Sequence, residues 1–566
     1  MAGQPVSPKP TPLQSVSPPS LAANPGVLKP ITTTSPLNRN SPSASAVSSM
    51  VDVSGSNSGN SGKSGNNESR TRRRKHAPRH SERLVSLDAF RGFIMLILAA
   101  KGFGLLAFSR IDEAAPVWQT HDHALWQRIS FHFDHPAWMS SSDYFKVSFW
   151  DLIQPSFMFM VGAAMPFSNR RRASNGQGAA GRTMHAIMRS LALILLGVFL
   201  SSLGHEHTYW IFPNVLCQIG LGYFFVWMLH HLRVSLQIVA LIVILGGYWG
   251  WFYMSPPPAD YDYAAVNASL KKGEVFEGKY AAWSKNANAA FFFDGWLLPR
   301  LRSSKDPEES PASAVISTMN QWRFASVGLQ ESPSPTGDPD PTGSELPKAD
   351  PPQPPEAETK AVDIASEPNK PAWYRQWFLS NTEPFQFNRD GYTTLNFIPS
   401  IGTTLLGVLC GQLLIKSETS RWMKLALLIL TASVCLGLGI AADHTICPIV
   451  KRIWTPSWVL FSGGYVIGML AIFYLLFDIA PLRLLAFPLV VVGMNSILTY
   501  MLGQTVSGWM REHVVKVHFS GMIENVFGPK ALDPMWYGPI TLPTTVIVLF
   551  WLFLLWLYRQ KIFLRL

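Results

Sequence analysis

Four histidines, His121, His123, His132 and His135, crowd a short polar stretch, and a carboxylate, Asp151, opens the apolar run that follows. An imidazole beside a carboxylate at the mouth of a helix makes a base with its orienter. The carboxylate fixes the ring tautomer and stabilises the protonated form. Asp151 would also sit where the helix macrodipole favours negative charge. His135 and Asp151 are the pair this pattern singles out as catalytic. His121, His123 and His132 read equally well as solvated or interfacial residues. A zinc site built from those three is an alternative that their spacing does not compel, and no metal is expected.

A second polar set lies in "RLVSLDAFRGFIMLILAAKG", residues 83–102. From Phe93 onward it reads as a membrane span, yet Asp88, Arg91 and Lys101 sit at its start and within it. An ionisable group at the centre of a membrane helix costs roughly 2.5–3.5 kcal/mol. On a helix Asp88 and Arg91 are i,i+3 neighbours and can neutralise one another, either as a fixed helix end or as a ligand entrance. Lys101, about 15 Å further along by helical rise, would snorkel to a surface or line a polar cavity. A third set, "VVVGMNSILTYMLGQ" at 490–504, puts Asn495, Ser496 and Tyr500 on an otherwise apolar run. Interhelical hydrogen bonding would account for the Asn and Ser.

Membrane helices must hold these groups. The chain has 566 residues, 48% of them hydrophobic and only 15% charged, where a soluble domain carries about 25% charged residues. Its apolar residues gather in blocks of about 20, the length that crosses a bilayer core. The expected fold is all-α, a polytopic bundle of ten spans. They lie near 86–108, 150–168, 185–204, 211–229, 234–254, 396–416, 422–442, 457–478, 482–503 and 541–559. The loops "NRRRASNGQGAAGRTMHAIMR" and "KSETSRWMK" and the terminal "YRQKIFLRL" are basic, which places them and both chain ends in the cytoplasm. Segments assigned to the outside are neutral or acidic apart from Lys451 and Arg452. The net charge of +11 therefore reflects topology, and no nucleic acid is expected as a partner. The four Cys lie in or beside apolar segments and read as packing residues.

Residues 1–82 are rich in Pro, Ser, Asn and Gly and lack a signal-peptide run. They are expected to form a disordered basic tail whose "RTRRRKHAPRHSER" suits an anionic cytoplasmic leaflet. Residues 83–566 form the transmembrane domain. It includes a long outer loop, 255–394, with aromatic, ordered ends and a Pro- and acid-rich, disordered insertion at 303–370.

The elements "RLVSLDAFRGF", "HPAW", "DLIQPSFMFMVGAAMPFS", "FPNVLCQIGLGYFFV", "TTLNFIPSIGTTLLGVLCG" and "GMNSILTY" occur in this order. Together they resemble the heparan-alpha-glucosaminide N-acetyltransferase family, including its bacterial relatives. The resemblance covers residues 83–566 outside the insertion. It implies a multi-pass enzyme, expected in a bacterial cytoplasmic membrane, that takes acetyl-CoA from the cytoplasm and acetylates an amino sugar or glycan on the far side. The family's catalytic His, three residues before a Trp, corresponds to His135 with Trp138. Its acid corresponds to Asp151, and its "GMNS" element to Gly493, Met494, Asn495 and Ser496.

On that resemblance Asn495 would donate a hydrogen bond to the carbonyl oxygen as charge develops there. Asp88, Arg91, Lys101, Trp138 and Ser496 become candidates for binding substrate or donor. Arg170, Arg171 and Arg172, with Arg91, would meet the CoA phosphates. The chain differs from its relatives in two places. Lys101 and Gly102 stand where they carry an Asn, and the interval from His135 to Asp151 is longer. The acceptor's nucleophile, N or O, stays open, as does a homodimer; an O-acetyltransferase of envelope glycans would share the donor. A transporter or flippase is the reading from another class. It would be marked by an inverted repeat with paired broken helices, which the sequence does not display.

Overall fold

The computed structural model of the chain describes residues 84–135, 138, 147–301, 379, 385–480 and 482–564. All fall within one compact unit, His80–Leu566. The expected N-terminal tail and the insertion at 303–370 lie outside the described residues. Among those described, all regular structure is helical. In chain order the helices are α1 (Val85–Ala99), α2 (Leu105–Ser109), α3 (His123–Ser130), α4 (Phe149–Ser174), α5 (Ala179–Ser202), α6 (Val215–Leu229), α7 (Val234–Tyr253) and α8 (Ala289–Leu297). They continue as α9 (Phe397–Ile415), α10 (Arg421–Thr445), α11 (Pro456–Tyr474), α12 (Arg483–Met494), the partly π-wound α13 (Ser496–Phe527) and α14 (Gly538–Arg559).

Six of these, α5, α7, α9, α10, α11 and α14, are long and apolar enough to cross a membrane, and up to 8 spans result if the bent pairs α1–α2 and α12–α13 each make one. The chain is a multi-pass integral membrane protein. Two of the ten expected segments fall outside this set, for different reasons. Helix α6 has 15 residues, about 22 Å of rise against a hydrocarbon core of about 30 Å. Helix α4 is long enough at 26 residues, but it carries Asp151, Pro155 and Pro166 and is buried on most sides. A helix enclosed by protein has no need of a continuous apolar surface.

Burial separates the centre from the rim. In α9 72% of the spanning window is buried inside the protein, against 22% in α5 and in α7. The rim helices turn Leu191, Leu195, Ile242, Val243, Leu552 and Phe553 outward, as a lipid-facing surface requires. At the centre, α4 and α9 meet backbone to backbone through the Gly407–Gly411 pair of a small-xxx-small seam. A Cβ on Gly407 would stand 2.0 Å from the Phe159 carbonyl oxygen, and one on Gly162 1.9 Å from that of Thr404. Any side chain there would push Asp151's helix off its neighbour.

The first expected span is not one helix. It breaks at Lys101, Gly102, Phe103 and Gly104, whose φ values are 48°, 63°, 55° and 71°, and α2 leaves at 47° to α1. A left-handed turn costs about 1–2 kcal/mol for each non-glycine residue, so two glycines in four halve its cost. Their lack of a side chain is needed twice over. A Cβ on Gly102 would strike the Phe133 ring at 2.7 Å, and one on Gly104 the Pro539 carbonyl oxygen at 1.9 Å. Lys101 thus lies exposed on a turn rather than on a helix face continuing from Arg91.

Candidate functional site

Local capping brings His135 to Asp151. Ser148 is the N-cap of α4; its hydroxyl accepts the Trp150 N–H at 3.2 Å and donates to the Asp134 carbonyl at 2.7 Å. One side chain thereby ties the His135 segment to the first turn of α4, where Asp151 sits. His135 Nδ1 lies 3.0 Å from Asp151 Oδ1. A carboxylate accepts, so Nδ1 carries the hydrogen, and in the neutral ring Nε2 then keeps the lone pair of a base.

A third residue, absent from the sequence-based set, completes the group. Lys451 donates from Nζ to the same Asp151 oxygen at 2.8 Å. Both side chains of this ion pair are 4% exposed, whereas that of His135 is 45% exposed. The turn before α11 holds the lysine. The Trp454 N–H bonds to the Lys451 carbonyl at 2.9 Å, the Thr455 hydroxyl accepts the Val450 N–H at 3.0 Å, and Trp454 donates from its indole to Thr403 at 3.1 Å. Burial opposes the ammonium charge, but Tyr392 and Asp151 favour it, and the Lys451 pKa stands above the ordinary lysine value. The sequence carried one signal for this residue: with Arg452 it interrupts the otherwise neutral or acidic segments expected outside.

His135 lines a cavity of about 300 Å³ with Leu106, Ser109, Arg110, Gln127, Ser130, Phe131 and Asp134. Arg110 and Asp134, both in its lining, are paired at 2.6 Å. Six of these eight lining side chains, the imidazole included, are polar, and Leu106 and Phe131 supply the apolar part. A cavity of this size falls at the lower end of the range that takes a small ligand.

The remaining sequence-based residues are distributed elsewhere. Trp138 is 1% exposed within an aromatic cluster with Trp283 and Phe252, and its indole donates to the Trp283 carbonyl at 3.1 Å. Its contacts are those of packing. His121 meets the Tyr537 hydroxyl at 2.9 Å and His123 the Ser109 carbonyl at 3.0 Å, while His132 is exposed. The three do not converge, and among the described residues no cluster of metal-ligating side chains forms. The residues that lengthen the His135–Asp151 interval lie largely outside those described.

Asp88 and Arg91 approach to 3.9 Å as the i,i+3 pair their spacing predicts. They lie near the start of α1, whose first N–H groups, on Val85 and Ser86, are capped by Asp478 at 3.1 Å. Asp478 follows α11 and Lys451 precedes it, so the two sets stand at opposite ends of that helix. Asn495 is buried at the 75° break between α12 and α13. Its amide donates to the Ile562 carbonyl at 3.2 Å and accepts the Leu564 N–H at 2.8 Å. Both polar atoms are thus engaged by the backbone of the C-terminal segment. Ser496, half-buried, opens α13.

A second polar group occupies the far end of α4. Arg172 lies twenty-one positions beyond Asp151 on that helix, about 31 Å by rise and close to the thickness of a hydrocarbon core. There Arg172 meets His185 at 2.6 Å, Arg182 donates to Asn169 at 3.1 Å, and Arg189 stacks on Tyr223 with 5.0 Å to the ring centroid. Buried nitrogens of Arg182 (Nε), Arg189 (Nε) and His230 (Nδ1) lack a hydrogen-bond partner among the described residues. Burial, then the charges of His231 and Arg182, push the His230 pKa down to about 4. The 182, 185, 189 spacing in "RTMHAIMR" puts all three side chains on one face of α5. No protein-family model and no curated protein matches the chain.

Proposed function

We propose that the protein is a transmembrane acetyltransferase that moves an acetyl group from acetyl-CoA to an amino sugar or related glycan. The observation that carries this reading is the Lys451–Asp151–His135 chain, whose imidazole lines a cavity of about 300 Å³. His135 Nε2 takes the proton of the acceptor amine or hydroxyl while its N or O bonds to the acetyl carbonyl carbon. The C–S bond of the thioester breaks, and the departing thiolate recovers the proton from the imidazolium. The same lone pair also suits an acyl-imidazole route, in which the acetyl group rests on Nε2 between two transfers.

The basic group of Arg172, Arg182 and Arg189 supports an anionic donor held at the other end of α4. Buried guanidinium nitrogens without partners favour phosphate oxygens through charge-assisted hydrogen bonds. In this reading the Arg172 end faces the cytoplasm, both chain termini lie there, α4 and α6 complete ten spans, and His135 opens to the outer side. Within the segment 255–301, which this reading places outside, Lys285 and Glu274 form a buried pair at 2.9 Å. Incubation of purified protein with labelled acetyl-CoA and a panel of amino sugars and glycans should yield an acetylated product. Failure to acetylate any acceptor, together with failure to bind acetyl-CoA, would remove the proposal.

The two helix breaks, 47° in α1–α2 and 75° in α12–α13, favour a second reading, a transporter, because broken helices form many transport sites. Flux of an unmodified sugar through proteoliposomes, with no dependence on acetyl-CoA, would support it.

A further inference from the structure

We propose that Lys451 sets the proton balance of the site: by neutralising Asp151 from within the bundle, it lets that carboxylate orient His135 without holding a proton on it. This rests on the reading of His135 as the proton acceptor. In a bare imidazole–carboxylate pair, the buried anion draws a proton onto the ring, and an imidazolium cannot accept one from an acceptor amine or hydroxyl. Here two donors share one oxygen. Lys451 is the nearer, at 2.8 Å against 3.0 Å for His135, and the more buried. The carboxylate's charge is thus matched from the protein side, and its bond to the ring selects the tautomer.

The other charges around His135 are committed elsewhere. Asp134 accepts the His135 backbone N–H at 2.8 Å, and its second oxygen is bound by Arg110 at 2.6 Å. Arg452 lies over the Tyr392 ring, 6.0 Å from its centroid, and Tyr392 in turn favours the charge on Lys451. Trp150, the remaining ring beside the imidazole, is uncharged, with 6.5 Å between centroids. Among the described residues, Asp151 is the charged side chain bonded to the ring, and Lys451 is the cation bonded to Asp151.

The test is the pH dependence of acetyl transfer in Lys451→Met, Lys451→Arg and the double variant Asp151→Asn/Lys451→Met. Lys451→Met should move the acid limb of the rate profile upward by about one to two pH units, the effect of an unmatched charge in contact, with activity recovering at alkaline pH. Lys451→Arg should leave the limb in place, and the double variant should return it toward the wild-type position. A lysine that merely packs would give a loss of the same factor at every pH, which would overturn the proposal. Should Lys451→Met fail to fold, nitrogen-15 spectra of the wild-type histidines, assigned by comparison with His135→Gln, decide the matter without any acetyl transfer. A neutral ring protonated on Nδ1 at neutral pH is the expected result; a doubly protonated ring there contradicts the assignment.

Discussion

The two ends of α4 hold their polar groups in opposite ways. At the Asp151 end the buried charges are matched inside the protein, and the capping bonds of Ser148 and Thr455 fix them before any ligand arrives. At the Arg172 end three buried nitrogens, on Arg182, Arg189 and His230, lack a partner among the described residues. Leaving a buried polar group unpaired costs about 1–3 kcal/mol, so the Lys451–Asp151–His135 group is complete in itself while the basic group has bonds still to make. A preorganised base belongs to the first kind of site, an anionic ligand to the second.

Substitution can break this contrast, most severely at the base. His135→Ala should lower acetyl transfer by roughly 10²–10⁴-fold, the usual contribution of a general base. His132→Ala, exposed and outside the network, serves as its control, and equal modest losses in the two would remove His135 from the chemistry. Asp151→Asn should cost less in rate but more in stability, since Lys451 would be buried without a counter-charge. Breaking one side of such a pair typically costs about 3–5 kcal/mol, which a fall in thermal midpoint would register.

At the other end, Arg182→Ala and Arg189→Ala together should raise KM for acetyl-CoA about 10- to 100-fold, as expected on losing charge-assisted hydrogen bonds. kcat should hold; a fall in kcat with unchanged KM would place these residues in the chemistry instead. The smallest effect is expected at Asn495. Asn495→Ala releases the C-terminal segment and should cost about 1–3 kcal/mol of stability, with the rate per folded molecule changed less than roughly tenfold. A loss of about a hundredfold or more, of the size seen on removing an oxyanion donor, would restore its role at the carbonyl oxygen.

Much of this architecture is written in the apolar periodicity of the chain, because a bilayer leaves helices few alternatives. The pairing of His135 with Asp151 was legible too, from an imidazole placed just before a helix that opens on a carboxylate. Lys451 was not, for it lies three hundred residues from Asp151 and only tertiary packing brings α11 beside α4. The kink at Lys101 escaped for a different reason. Two glycines among apolar residues look like ordinary helix-packing positions, and only the approach of Phe133 and Pro539 shows that they make a left-handed turn. Trp138 and Asn495 illustrate the converse. Their residue types suit a site, but their neighbours, Trp283 and the segment at Ile562–Leu564, engage them first.

Transfer across the membrane is the central claim, and sided proteoliposomes test it most directly. Protein would be reconstituted with an amino-sugar acceptor sealed inside the vesicles and labelled acetyl-CoA added outside. The wild type should deposit label on the enclosed acceptor, in the fraction of molecules whose Arg172 end faces outward, and His135→Ala should not. Label that stays wholly outside, or that reaches the acceptor equally well in His135→Ala, would contradict a site that joins the two ends of α4 through His135.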